Sequence, residues 1–185
     1  MSRLGDYFQK KGQRYKDQAK PLREKTDDQS IAEVLRLDGL SYPDFLNAAM
    51  VFSKLLNRFP DDPLAGLAGI RSGQNFMRAL QYEKAIGIFQ GVIENEEFDG
   101  GKIRAQALFW GAYSRELYPT LESDYRTRGK MVSEAYQMYR RVTFDFPDSI
   151  WAKRARGRLA DPVFERIIQQ ENEARQRLLE SMKNR

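Results

Sequence analysis

From Pro43 onward the apolar residues recur at spacings of three and four, the period that places them on one face of an α-helix. Phe45, Ala48, Ala49, Phe52, Leu55 and Leu56 form the first such run, which starts at Pro43-Asp44 and ends at Phe59-Pro60. Pro60 has no amide hydrogen to extend the ladder and biases Phe59 away from helical torsions, so the helix stops there. Further runs predict helices over 64–79, 82–94 and 102–117. Another passes through Val132, Ala135, Tyr136, Tyr139 and Val142 to Phe146-Pro147, and a shorter one carries Trp151, Ala152, Ala155 and Leu159. Ahead of them, Ser30 and Glu33 make a capping-box pattern before Val34, Leu35 and Leu37, which predicts a short helix over 30–38 stopped at Gly39. Pro162 suits the first turn of a final amphipathic helix reaching to Lys183. The reading is all α, with about eight helices.

One phrase returns along these helices. Ala48, Phe52, Leu55, Phe59 and Pro60 match Ala135, Tyr139, Val142, Phe146 and Pro147 position for position, and Ala85, Phe89 and Val92 repeat its first part. Small residues keep the same step behind each proline: Ala65, Ala68 and Gly73 after Pro60, and Ala152, Ala155 and Ala160 after Pro147. Such a repeat implies stacked units, each unable to bury its apolar face alone. Gly66, Gly69 and Gly73 each cost a helix interior ~1 kcal/mol relative to Ala, which points to close approach by a neighbouring helix.

The segment 66–92, with Gly73, Phe76, Ala85, Phe89 and Val92, resembles the tetratricopeptide repeat. The FPDD and FPDS endings resemble the subtype found in the outer-membrane assembly lipoprotein BamD and related bacterial repeat proteins, and the resemblance covers roughly Pro43 to Ala160. It implies a right-handed α-solenoid of stacked antiparallel helix pairs over 30–160, followed by a capping or interaction helix over 161–185. In it, Ala48, Phe52, Pro60, Gly73, Phe76, Ala85, Phe89, Ala135, Tyr139 and Pro147 would pack the repeats. The register is ambiguous by one position at Trp110-Gly111, Gly111 to Ala135 spans twice the family's spacing, and BamD's anchor cysteine has no counterpart.

The resemblance also implies a function. In the family, the first helix of each pair lines a concave face that holds an extended peptide or a partner helix. Carried over, this places Leu67, Ile70, Arg71, Gln74 and Arg78 on the face, then Phe109, Ala112 and Arg115, then Arg154 and Arg158. Arginines beside apolar and aromatic groups suit an acidic or carboxylate-bearing peptide. The competing reading is a solvated face whose arginines pair with neighbouring glutamates. The expected role is a non-enzymatic scaffold or adaptor that binds protein partners within a larger complex or self-assembly.

Charge refines this picture. The net +5 is uneven: +5 over 1–25, −3 over 26–40, −1 over 41–150 and +4 over 151–185. Residues 1–29, with Gly5, Gly12 and Pro21 and few apolar groups, read as a basic, weakly structured arm. Basic ends attract acidic partners, and Lys153, Arg154, Arg156 and Arg158 form the densest run, so a nucleic-acid or anionic-membrane binder is the alternative function. The stretch 119–130 reads as an insertion, either a connector or a contact loop carrying Tyr118, Leu121 and Tyr125. The chain has neither cysteine nor histidine, which removes the commonest nucleophile, general base and metal ligands, and no phosphate-binding Gly-rich motif occurs. No cofactor or catalytic residue is expected. The start of the chain lacks a secretory h-region, which points to the cytoplasm, with the periplasm open to a processed form.

Overall fold

The computed structural model describes residues 2–98, 101–118 and 125–165, with Gln169. Helix α1 spans Arg3–Ala19, and its start is fixed by Ser2, whose hydroxyl accepts the Gly5 amide hydrogen. The weakly structured arm expected over 1–29 is therefore wrong. The buried residues of α1 are Gly5, Gly12 and Ala19, spaced by seven along one face. A Cβ on Gly5 would lie 2.8 Å from the Phe52 ring, and one on Gly12 would lie 3.1 Å from Phe45 and from the Ser41 carbonyl oxygen. Close backbone approach holds this helix in place of a broad apolar face. Ion pairs add to it: Lys11 to Asp44 at 3.2 Å, Lys16 and Arg23 to Asp38 at 3.0 and 2.6 Å, and Asp6 to Arg71 at 2.5 Å. Part of the basic excess of the first 25 residues is thus answered by the acidic stretch that follows.

A 3-10 turn over Lys20–Leu22 leads to α2, a single helix over Asp28–Arg58. Two separate helices, 30–38 and one from Pro43, were expected. Asp27, not Ser30, is the N-cap and accepts the Ser30 amide hydrogen at 2.8 Å, while Glu33 pairs with Arg36. Pro43 leaves the Gly39 carbonyl without its helical donor, but Gly39 is exposed to water, so the helix continues through both residues.

The remaining helices are α3 (Ala65–Arg78), α4 (Tyr82–Glu94), α5 (Lys102–Leu117), α6 (Tyr125–Asp145) and α7 (Ile150–Leu159). Among the described residues the protein is all α, with seven helices, and each helix after α1 packs on the one before it. In addition α3 touches α5 and α5 touches α7, so these three form a contiguous row. The 119–130 connector is shorter than expected, because α6 already begins at Tyr125; Pro119 to Asp124 lie outside the described residues. Pro162–Phe164 form a 3-10 turn that buries Phe164 against Tyr136 and Tyr139, with ring centroids 5.8 and 5.9 Å apart. The rest of the expected C-terminal helix falls outside the described residues beyond Glu165, apart from Gln169.

Ala48, Phe52, Gly73, Phe76, Ala85, Phe89, Ala135 and Tyr139 are all buried, at the helix interfaces. The two Phe-Pro turns share a hydrogen-bond plan. Phe59 N–H donates to Leu55 O and Phe146 N–H to Val142 O; Asp62 N–H donates to Phe59 O and Ser149 N–H to Phe146 O. Helix α3 ends differently, with Leu80 in the left-handed region (φ 59°) and Gln81 N–H reaching back to Phe76 O at 2.8 Å. No helix among the described residues is long and apolar enough to cross a membrane.

Candidate functional site: the cleft between α3 and α5

The row formed by α3, α5 and α7 carries a cleft of about 230 Å³ lined by Gln74, Met77, Arg78, Trp110, Tyr113 and Leu117. Gln74 and Arg78 sit one turn apart on α3, and Trp110, Tyr113 and Leu117 follow the helical period on α5, so each wall is one helix face. The α5 wall is fixed by edge-on ring packing. Trp110 meets Tyr113 at 5.9 Å and 65° and Trp151 of α7 at 6.1 Å and 61°. Arg154 lies 4.8 Å over the Trp151 ring, and Arg78 lies 5.4 Å over Phe45 of α2. Aromatic groups therefore run between two guanidinium groups along the row.

Several polar groups here lack partners among the described residues. Arg78 makes no ion pair or hydrogen bond among the described residues, and neither does Arg154; each has only its ring contact. The Arg78 residue is solvent-exposed, yet desolvation by the surrounding protein pulls its pKa below the ordinary arginine value. A group that water reaches but protein crowds is one set in a concavity. The indole Nε1 of Trp110 is buried with no acceptor among the described residues. Asn75, buried on α3, donates to Arg71 O and Gln9 Oε1, and its own Oδ1 finds no donor among the described residues.

Other residues assigned to the face do different work. Arg71 is paired with Asp6 of α1 and lies 5.6 Å over Phe52, so it ties α1 to α3. Arg115 is 8% exposed; it pairs with Glu134 at 2.9 Å, donates to Gly111 O, and sits on the α5–α6 side. Phe109 is core, packed on Tyr139 at 5.6 Å and Trp151 at 5.3 Å. Arg158 is bound by Glu116 and by Asp161 at 3.4 Å, and lies 5.8 Å over Tyr113. Burial works against the Arg158 charge, but the hydrogen bond and charge of Glu116 outweigh it and raise the pKa. Glu116 also accepts from the Tyr139 hydroxyl at 2.9 Å. Desolvation first, then the Glu116 charge, raises the Tyr139 pKa, so the phenol remains a donor. Charge reversal at Arg71 or Arg158 would break these internal pairs, so neither position probes the face cleanly.

Of the expected face residues, the cleft brings together Gln74 and Arg78, and Arg154 lies along the same row. Trp110 and Tyr113 replace Phe109 and Arg115. The one-position ambiguity at Trp110-Gly111 falls here: Gly111 faces Met138 of α6, where a Cβ would lie 2.8 Å from the Met138 Cε, while Trp110 faces α3 and Trp151 of α7. Trp151 was readable as a ring on the apolar face of α7, but its pairing with Trp110 joins residues 41 apart in sequence. Compared with family models, curated proteins and solved structures, the chain matches none. Its class therefore rests on its helices and on this cleft.

Proposed function

We propose that the protein is a non-enzymatic scaffold or adaptor of tetratricopeptide type, whose α3–α5–α7 row binds a segment of a protein partner within a larger assembly. The helices would pair as α1 with α2, α3 with α4 and α5 with α6, giving a right-handed solenoid with α7 opening the next pair. The Gly5–Phe52 and Gly73–Phe89 approaches, the matched Phe-Pro turns and the α3–α5 and α5–α7 contacts support this pairing. The single observation that carries the functional reading is the cleft itself: apolar walls edged by an exposed arginine that no described residue pairs. A concave, mostly apolar surface with one convergent charge suits a partner segment that brings an apolar side chain and a carboxylate.

The nucleic-acid or anionic-membrane reading loses ground to the internal pairing of Lys11, Lys16, Arg23, Arg71 and Arg158. The test is capture of partners by the full chain and by two variants. Gln74→Trp fills the cleft and should release a protein partner; Leu35→Ser, on an exposed position of α2, should keep it. A partner retained by a folded Gln74→Trp variant would refute the assignment.

A further inference from the structure

Arg78 and Arg154, which make no ion pair or hydrogen bond among the described residues, stand on either side of the aromatic groups of the row, and this placement bears on what the row recognises. Arg78 borders the α3–α5 cleft, Trp110 forms its α5 wall, Trp151 touches Trp110 at 6.1 Å, and Arg154 covers Trp151 at 4.8 Å. The sequence across the three helices is guanidinium, indole, indole, guanidinium. Arg71 and Arg158, on the same helices, are neutralised by Asp6, Glu116 and Asp161. Arg78 is the one charged residue in the cleft wall, and no described residue pairs with it. A carboxylate is a charge-assisted, bidentate partner for such a guanidinium. The walls between, from Met77, Tyr113 and Leu117, are apolar.

We infer that the row takes an extended peptide in which two acidic side chains, one at Arg78 and one at Arg154, flank an apolar residue seated against Trp110, Tyr113 and Leu117. This rests on the reading of the row as a protein-binding surface. The cleft, at about 230 Å³, is smaller than a typical small-molecule pocket and suits one inserted side chain. Neighbouring helix axes lie ~8–10 Å apart, so the path from α3 to α7 is roughly 16–20 Å. An extended chain covers that in about five or six residues at ~3.3 Å each. A helix would need about twice as many residues for the same span at ~1.5 Å each.

A single-stranded nucleic acid is the less suited ligand. Base stacking needs open ring faces, whereas Phe109, Tyr113 and Trp151 crowd Trp110 at interplanar angles of 85°, 65° and 61°. Two separated guanidinium groups also match two carboxylates better than a phosphate at every nucleotide.

The test uses the full chain and fluorescein-labelled peptide pools of the form acetyl-Glu-Xaa-Leu-Xaa-Xaa-Xaa-Glu-amide, in which both Glu and the Leu share one face of an extended chain, with a twin pool carrying Gln for both Glu. Binding is read by fluorescence anisotropy at about 50 and 150 mM salt. The acidic pool should bind at least about tenfold more tightly than its Gln twin, and Arg78→Gln and Arg154→Gln should each remove most of that preference. Arg78→Lys, which keeps the charge, should retain part of it, and Arg36→Gln, remote on α2, should retain all of it. Neither target arginine makes an ion pair or hydrogen bond among the described residues, so circular dichroism of the variants should match the parent.

Equal binding of the two pools, no binding of either, or a preference unchanged in both Gln variants would overturn the inference. So would a twelve-residue oligothymidylate that displaces the acidic pool and depends on the same arginines. If the Gln twin binds as well as the acidic pool and Gln74→Trp abolishes both, the row remains a protein-binding surface and only its acid specificity falls. If neither pool binds and partner capture survives Gln74→Trp, both readings fall.

Discussion

Gly73→Ala should destabilise the protein although alanine is the better helix former, and Gly87→Ala should stabilise it. A Cβ at Gly73 would lie 2.5, 2.6 and 2.8 Å from Cζ, Cε1 and Cε2 of Phe89, a ring with no solvent exposure. Three ring atoms inside 3.0 Å cannot be relieved by a flexible chain end, so the α3–α4 spacing must widen or the ring must leave its rotamer. Overpacking of this kind costs ~1–3 kcal/mol, and three close atoms argue for the upper half of that range. Replacing glycine inside a helix returns ~1 kcal/mol. The net loss for Gly73→Ala is therefore ~1–2 kcal/mol. Gly87 lies within α4, exposed, with no atom within 4 Å of its added Cβ, so only the gain of ~1 kcal/mol applies. The two variants should differ by ~2–3 kcal/mol, which at this chain length corresponds to ~4–12 °C in Tm. Urea denaturation followed by circular dichroism at 222 nm reads the difference directly. Phe89→Leu should shrink the penalty of Gly73→Ala in a double-mutant cycle. A Gly73→Ala variant as stable as Gly87→Ala, or a penalty unchanged by Phe89→Leu, would refute the close-approach reasoning.

Further outcomes follow from other contacts. Leu80→Gly should raise stability by ~0.5 kcal/mol, because it relieves a left-handed, exposed leucine at the α3 terminus while freeing the unfolded chain; unchanged or lower stability in urea would count against the strain. Glu116→Ala strands the Tyr139 hydroxyl and Arg158 and should cost ~1–3 kcal/mol, discounted at its upper end because Arg158 is partly exposed, with Glu116→Gln losing less; equal losses would deny the charge a role. Burial opposes the Asp38 charge, but hydrogen bonds from Lys16 and Arg23 outweigh it and hold its pKa below the ordinary value. The stability this pair of contacts supplies is present above the unfolded pKa of about 3.9 and is lost as pH falls through the folded value. Asp38→Asn should flatten that part of the acid limb below about pH 4, and an identical pH profile would contradict it.

Much of the helix order was legible because each boundary carries local chemistry. Phe59-Pro60 and Phe146-Pro147 stop α2 and α6 by removing an amide donor, and the runs over 64–79, 82–94 and 102–117 match α3, α4 and α5 to within a residue. The misreadings also have physical causes. Gly5 and Gly12 look like helix breakers, yet on α1 they are the points of contact with Phe52 and Phe45, and only their seven-residue spacing hinted at a face. Gly39 and Pro43 look like a boundary, but water can serve the exposed carbonyl, so α2 passes through. At the site, helical register located Gln74 and Arg78, because both lie on one regular helix. It failed at Phe109 and Arg115, where the register of α5 is ambiguous by one position at Trp110-Gly111. The pairings of Arg71 with Asp6 and Arg158 with Glu116 join residues 65 and 42 apart, and no local pattern could separate those bound arginines from Arg78 and Arg154, unpaired among the described residues.

The central claim is that the α3–α5–α7 row holds the partner, and site-specific photocrosslinking in cells tests it most directly. A photoreactive phenylalanine analogue placed at Tyr113, on the cleft wall, should join the full chain to a discrete protein, and the same group at the exposed Leu35 of α2 should not. A product formed at Leu35 and absent at Tyr113 would place the binding surface elsewhere and contradict the account.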